Sequence, residues 1–389
     1  MKVAVSYRVM QGWRVPIFER LSQLPSFDDF CVFHGSDFPG TKVVNFKGEK
    51  AFKSKAMPTI RLKVKAKNRT ICQAINLTFF YELIRYKPDV ILCEGASNLF
   101  SASVAFLYAA LFRKKFVWWS LGELKNRKKT IYRKILEAPI QFLERNSDAI
   151  ISYSSIGVEY FKRIGVNQDR IYVAVNVIDT EKKKALIASL NTDEIYRKAH
   201  ENSDFNIVFV GAITKEKRLD VLLEAFAVFE KRVPRVQLTI VGDGEYFEAC
   251  KAQAVELKIE NVLFTGRVVD GVSRYFLQSD LFVLPGLGGL AVSEALVHGL
   301  PVIASIADGC EKDLLGSGAG IIDETLDADR LLAHLSELYS DRSKLDAMKQ
   351  EAVRVIDSVY NIHTYIGSIQ NCIEALSPDG VESPDRSAI

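Results

Sequence analysis

The sequence predicts an α/β protein made of two Rossmann-like, doubly wound domains facing a central cleft. Three observations carry that expectation. Short β-branched apolar runs alternate with helical stretches through both halves, the pattern of parallel strands joined by crossover helices. The chain has 389 residues, more than a single hydrophobic core usually serves, so two domains of roughly 180 residues are the default. The charge also changes sign along the chain: residues 1–180 hold 29 Lys and Arg against 15 Asp and Glu, and the remainder hold 22 against 33.

Taken in order, the first domain (1–180) is expected to carry strands at Lys2–Tyr7, Phe30–Phe33, Lys42–Phe46, Asp89–Cys93, Phe116–Ser120, Ala149–Tyr153 and Ile171–Val175. Each is a short apolar run bounded by turn or charged residues. Leu99 to Phe112 is the most apolar helical stretch, but a bilayer takes about 20 residues to span, so a buried helix is expected. Residues 181–204 read as a charged, helical connector. The second domain (205–355) should hold strands at Asn206–Gly211, Gln237–Val241, Val262–Thr265, Leu281–Leu284, Pro301–Ala304 and Ala319–Ile322. A last helical run from about Arg342 reaches Leu376, and residues 377–389, polar and proline-bearing, read as a disordered tail.

Composition excludes several classes. Hydrophobic residues make up 48% and charged residues 25%, ordinary globular usage. The start, Met1-Lys-Val-Ala-Val-Ser-Tyr, is already a strand pattern and lacks a signal-peptide layout. Six scattered cysteines (Cys31, Cys72, Cys93, Cys250, Cys310, Cys372) form no Cys-x-x-Cys pair, so reduced thiols in a cytoplasmic protein are expected, not a disulfide framework or zinc site. The basic first half predicts an anionic partner, either a membrane surface or a phosphate-bearing acceptor. Its lysines cluster in Lys50–Arg69 and in Phe112–Phe116 with Lys125–Lys134. No nucleic-acid-binding motif accompanies them, so nucleic acid is not expected.

Chemistry concentrates in the second half. Val283-Leu-Pro-Gly-Leu-Gly-Gly-Leu-Ala-Val-Ser-Glu294 reads as a buried strand, a turn containing Gly286, Gly288 and Gly289, then a helix opening at Leu290. Such a turn presents backbone N–H groups to a phosphate. Glu294 follows about one helical turn on, where a carboxylate can accept both hydroxyls of a ribose. The strand ending at Gly211 leads into Lys215-Glu-Lys217-Arg218, a cationic turn suited to stabilising an anionic leaving group. Gly242 and Gly244 in Val-Gly-Asp-Gly let backbone approach a ligand, and Val262-Leu-Phe-Thr-Gly266-Arg267-Val268 forms a fourth turn. In the first half, the loop after the first strand carries Gly12 and Trp13. Glu123, in Ser-Leu-Gly-Glu, is placed either to bind or deprotonate an acceptor hydroxyl or simply to begin a helix.

In order and spacing these turns resemble the donor site of the retaining, nucleotide-sugar-dependent glycosyltransferases of family four (glycosyl transferases group 1), which have the GT-B fold. Gly289-Leu290 and Glu294-Ala295 match the family pattern E-G-F-G-L-x-x-x-E-A, and Lys217 matches its diphosphate-binding lysine. Two positions depart: Gly286 stands where the first glutamate should, and Ala212 replaces an arginine. The first departure bears on which sugar is held, the second on the grip on the diphosphate. The resemblance implies that Arg267 and Val268 offer backbone to the base, that Gly12 and Trp13 lie on the acceptor side, and that Asn176 and Asp179 mark the domain junction. It also implies that the helix of residues 356–376 crosses back to the first domain.

The function so implied is transfer of a hexosyl group, with retention, from a nucleoside diphosphate sugar to a saccharide or lipid-linked saccharide, in surface polysaccharide or lipopolysaccharide synthesis. Lys217, Glu294 and Glu123 are the catalytic candidates. No cofactor or metal is expected, since no Asp-x-Asp pair follows an apolar strand, and the nucleotide sugar is a substrate. The five histidines assemble no catalytic or metal motif. Association with the inner face of the membrane is expected through the basic clusters. Two alternatives share the fold: a catalytically lapsed scaffold, suggested by Gly286 and Ala212 but opposed by Lys217 and Glu294, and a nucleotide-sugar epimerase.

Overall fold

The computed structural model describes residues 1–39, 43–66, 69–123, 131–233 and 235–377. The chain divides into two units, one of Met1–Val175 with the chain from His363 onward, the other of Asn176–Ile362.

The first unit is built on a seven-stranded sheet. Its strands are β1 (Lys2–Tyr7), β2 (Asp29–His34), β3 (Lys53–Ala56), β6 (Val90–Glu94), β7 (Lys115–Ser120), β8 (Ala149–Ser152) and β9 (Ile171–Val173), ordered β3-β2-β1-β6-β7-β8-β9. Every pairing is parallel. β4 (Thr59–Ala66) and β5 (Arg69–Asn76) form a separate antiparallel hairpin. The helices are α1 (Val15–Ser22), α2 (Phe79–Tyr86), α3 (Leu99–Phe112), α4 (Ile131–Asn146) and α5 (Ser155–Arg163). Strands covered on both faces must be apolar throughout. Accordingly Val3, Val5, Leu92, Val117, Trp118 and Ile151 are all fully buried.

The second unit opens with α6 (Thr180–Ala188) and α7 (Thr192–Ala199), then alternates regularly: β10 (Phe205–Val210), α8 (Leu219–Arg232), β11 (Val236–Val241), α9 (Phe247–Glu256), β12 (Val262–Gly266), α10 (Val272–Leu277), β13 (Leu281–Leu284), α11 (Ala291–Val297), β14 (Val302–Ala304), α12 (Cys310–Leu315), β15 (Gly320–Ile322), α13 (Ala328–Ser340) and α14 (Arg342–Ser358). The sheet order is β12-β11-β10-β13-β14-β15, again all parallel. Asp280, only 2% exposed, ties α7 to the foot of this sheet: it accepts from Tyr196 Oη (2.7 Å) and the Asn206 N–H (2.8 Å), with His200 Nε2 at 2.8 Å. Against its burial, these bonds hold the Asp280 carboxyl below its ordinary range.

The final helix, α15 (Ile362–Glu374), belongs to the first unit from His363. Its anchor is a fully buried Arg14, which donates to the hydroxyls of Tyr7 (3.1 Å), Tyr153 (2.8 Å) and Tyr365. The guanidinium also lies 4.2 Å from the Trp13 ring centre and 4.4 Å from that of Trp119. A delocalised, weakly hydrated cation suits a pocket of phenols and π-faces.

Three local expectations change. Residues 43–46 are irregular chain instead of a strand, and Lys42 lies outside the described residues. Here side chains take the backbone donors: Asn45 Oδ1 accepts the Met10 N–H at 2.7 Å and Asp37 Oδ1 accepts that of Asn45 at 2.7 Å, an alternative to a ladder. The strands instead occupy the stretch read as a basic cluster. The connector is two helices of the second unit, whose boundary falls at Val175/Asn176 instead of at 180. The long C-terminal helix is two, interrupted between Ser358 and Ile362. The cluster at Lys125–Lys134 falls, up to Thr130, outside the described residues, as does the tail from Pro378. Among the described residues no helix is long and apolar enough to cross a membrane.

Candidate active site

In an open parallel sheet, the loops leaving the strand C-termini diverge where the strand order reverses, and the crevice there is the usual ligand position. In the second unit the reversal lies between β10 and β13. The turns after β10, β11 and β12 are zipped together by backbone: the Gly211 N–H donates to Val241 (3.0 Å), that of Gly242 to Gly266 (2.9 Å) and that of Ile213 to Asp243 (3.1 Å). Gly242 is required by this packing, because a Cβ there would sit 1.9 Å from the Gly211 carbonyl oxygen. Gly244 lies in the same turn, while Arg267 is exposed and Val268 half-buried just beyond β12.

Across the reversal, the turn after β13 is fastened to the turn after β10. The Leu287 N–H donates to the Glu216 carbonyl at 2.8 Å. The Lys217 ammonium donates to the carbonyls of Leu287 (2.5 Å) and Gly288 (3.0 Å). An ammonium has three donors, so one remains for an incoming acceptor. Burial presses the Lys217 pKa down, while the carboxyls of Asp308 and Glu311 act to raise it. Gly286 is buried against this junction. A Cβ on it would lie 2.1 Å from the Glu216 oxygen and 2.4 Å from the Lys217 carbonyl carbon. The turn then passes Gly289 and enters α11 at its cap, Leu290.

Glu294, in the first turn of α11, pairs with Lys183 of α6 at 2.7 Å, both about one-fifth exposed. Ser293, beside it, accepts the Ile178 N–H at 3.2 Å and donates to Leu290 at 2.9 Å, fixing α11 to the segment that carries Asn176 and Asp179. His298 closes the helix: its ring stacks on Phe276 (4.8 Å between centres, 17° between planes) with Nδ1 2.7 Å from the Glu294 carbonyl. Burial lowers its pKa to about 4, so the ring is neutral packing material.

Lys217, Gly286, Gly288 and Gly289 are therefore brought together, with Glu294 one helical turn away. Of the two further cations, Arg218 gives Nη1 to the Leu326 carbonyl at 2.7 Å, and Lys215 is exposed. Gly12, Trp13 and Glu123 lie in the first unit. Gly12 packs beside the Phe46 ring, Trp13 is 39% exposed over Arg14, and Glu123 pairs with Arg163. Two residues escape the sequence reading. Lys183 stands in a Glu-Lys-Lys-Lys run where nothing marks it out. Glu311, fully buried, looks like a routine acid opening a helix. With Asp308 and Cys310 it forms the one group of three potential metal-ligating side chains among the described residues.

Tandem parallel α/β units with this glycine-turn edge have the GT-B architecture. The chain superimposes on the crystal structure of Anabaena HepE in complex with UDP with a TM-score of 0.70 at 15% identity, covering 96% of this chain and 100% of that one. Residues 191–355 match the family described as glycosyl transferases group 1. It is 25% identical over 264 residues to the poly(glycerol-phosphate) alpha-glucosyltransferase of Bacillus subtilis, 67% of this chain and 36% of that protein. It is 28% identical over 154 residues to a GDP-mannose-dependent alpha-(1-6)-phosphatidylinositol monomannoside mannosyltransferase of Mycolicibacterium smegmatis, 36% of this chain and 40% of that protein. The matches thus span well under half the length of these two relatives.

Proposed function

We propose that the protein is a retaining glycosyltransferase moving a hexosyl group from a nucleoside diphosphate to a saccharide or lipid-linked saccharide acceptor. The observation that carries this reading is the Lys217 ammonium, seated on the glycine turn at the sheet's reversal with one donor left. A half-buried cation there meets the charge that develops on a departing diphosphate. Glu294, 2.7 Å from the Lys183 ammonium, accepts the hydroxyls of the nucleoside ribose.

In the reaction proposed, the bond from the anomeric carbon to the diphosphate oxygen breaks and its electron pair leaves with that oxygen. The acceptor oxygen bonds to the same carbon on the same face, and its proton passes to the departing phosphate. Such a step needs no histidine. It also needs no metal if Lys217 neutralises the phosphate. The basic surplus of residues 1–180 supports a phosphate-bearing or lipid-linked acceptor at an anionic membrane surface on the cytoplasmic side.

The test is a binding and turnover panel of UDP-, GDP-, ADP- and dTDP-sugars, with and without EDTA. Wild type is expected to bind one base preferentially and to release sugar or transfer it in EDTA. Lys217→Ala and Glu294→Ala should each cut turnover at least about a hundredfold, close to 3 kcal/mol of transition-state stabilisation. Near-normal turnover in both variants would remove this donor site. Binding without any turnover would point to the lapsed scaffold.

A further inference from the structure

Glu311 has a feature that structure alone does not explain. It is fully buried. Its Oε2 accepts the Gly309 N–H at 2.9 Å and the Ala307 N–H at 3.4 Å, yet Oε1 has no partner in the protein. A buried carboxyl oxygen left unpaired is destabilising, and native proteins rarely keep one without use.

Its position is specific. Oε1 occupies the space a side chain on Gly288 would take, since a Cβ there would lie 1.8 Å from it. It therefore lies against the same turn whose carbonyls hold Lys217. The turn cannot present a carboxyl of its own at Gly286, where the backbone of Glu216 and Lys217 blocks any Cβ. The charged and titratable groups facing Glu311 are Asp308 and Cys310 from its own loop and Lys217 from the turn after β10. Asp308 Oδ1 is engaged by the Cys310 thiol at 2.9 Å. Burial, then repulsion from Asp308, raises the Glu311 carboxyl to about 7, so its charge is disfavoured where it lies and a donor to Oε1 would relieve it.

We propose that Glu311 reads the sugar of the donor: Oε1 accepts hydrogen bonds from hydroxyls of the hexose carried on the nucleoside diphosphate. This rests on the donor-site reading above and adds a residue to it. The ligand chemistry follows from sign. Two neighbouring acids repel a phosphate, whereas hydroxyls donate to them. Access follows from Lys217. A diphosphate bound by the donor that Leu287 and Gly288 leave free lies at the turn that covers Oε1, so the nucleotide brings its sugar to that turn.

The experiment compares UDP with UDP-glucose, and GDP with GDP-mannose in parallel, by calorimetry on wild type and Glu311→Gln. The glutamine is isosteric and retains an oxygen for the Gly309 N–H. The variant should bind the free diphosphate within about twofold of wild type and the sugar-bearing one at least about fivefold more weakly, the loss of one charge-assisted hydrogen bond. Equal losses for both ligands, or no loss for either, would overturn the proposal. Should the glutamine variant fail to fold, Glu311→Asp withdraws the oxygen from Gly288 and is judged by the same ratio. A wild-type chain that binds none of the four removes the donor site itself, and the Glu311 assignment falls with it. That result is distinct from one in which wild type binds and the ratio stays put.

Discussion

Replacing Gly286 by glutamate would restore the acid that the family pattern places there, and the structure predicts that it destroys the site. The new Cβ would lie 2.1 Å from the Glu216 carbonyl oxygen, 2.4 Å from the Lys217 carbonyl carbon and 2.6 Å from its oxygen. Carbon contacts settle near 3.5 Å, so the turn after β13 must retreat by about 1 Å or more. Overpacking of that kind costs about 1–3 kcal/mol. The retreat also breaks the Leu287–Glu216 backbone bond of 2.8 Å and pulls two carbonyls from Lys217, each unpaired group adding about 1–3 kcal/mol. At the low end of each range these costs come to at least about 4 kcal/mol, a fall in melting temperature on the order of 10 °C for a unit of this size. Gly286→Ala should lose most of the same stability, because the clash begins at Cβ. The assay is thermal and urea unfolding of both variants, followed by titration with UDP and UDP-glucose. If Gly286→Ala stays within about 0.5 kcal/mol of wild type, or Gly286→Glu binds the nucleotide sugar more tightly at unchanged stability, the steric argument is wrong.

Two further outcomes can be measured. His298 is pressed from 6.5 to about 4 by burial, so below pH 6.5 the unfolded chain binds the proton that the folded one refuses. The stability this contributes is present above pH 6.5 and lost toward pH 4, to about 3 kcal/mol. Relative to wild type, His298→Phe should therefore flatten the acid limb of stability against pH between 6.5 and 4, and an His298 ring that titrates near 6.5 by NMR would refute this. The basic first half predicts flotation with anionic but not neutral vesicles, released by salt, at roughly 1 kcal/mol per lysine near the surface; reversing Lys63, Lys65, Lys128 and Lys129 to glutamate should abolish it, and equal binding to both vesicle types would leave the clusters as solvated surface.

How far the sequence could be read depended on where each residue's partners lie. Strands covered on both faces are nearly continuous apolar runs, so β6, β7, β10, β13 and β14 stand out in stretches such as Leu281-Phe-Val-Leu284 or Ile207-Val-Phe-Val210. The β4–β5 hairpin does not, because Ile60-Arg-Leu-Lys-Val-Lys65 alternates, and its dense positive charge masks the period of two. Lys217 and Glu294 were legible because each sits at a fixed distance from its own strand end. Lys183 was not: its partner is Glu294, more than a hundred residues on, and two neighbouring lysines look identical in sequence.

Gly286 and Glu311 together illustrate a limit of motif reading. A departure from a pattern is visible in one dimension, and its reason is visible only in three. At Gly286 the reason is backbone from the turn after β10, pressed so close that no side chain fits. That same closeness puts Lys217 on the glycine turn, so the close junction and the loss of the acid share one cause. A carboxyl can then reach the turn only from the other side, and the loop after β14 supplies it in Glu311, behind a glycine that leaves its oxygen room. Burial opposes charge on Lys217 and on Glu311 alike; the carboxyls of Asp308 and Glu311 offset part of that penalty for Lys217, and backbone N–H groups offset part of it for Glu311. A ligand that offers phosphate to the one and hydroxyls to the other relieves both at once. Affinity then comes partly from the desolvation of these two groups, already in place in the unliganded protein.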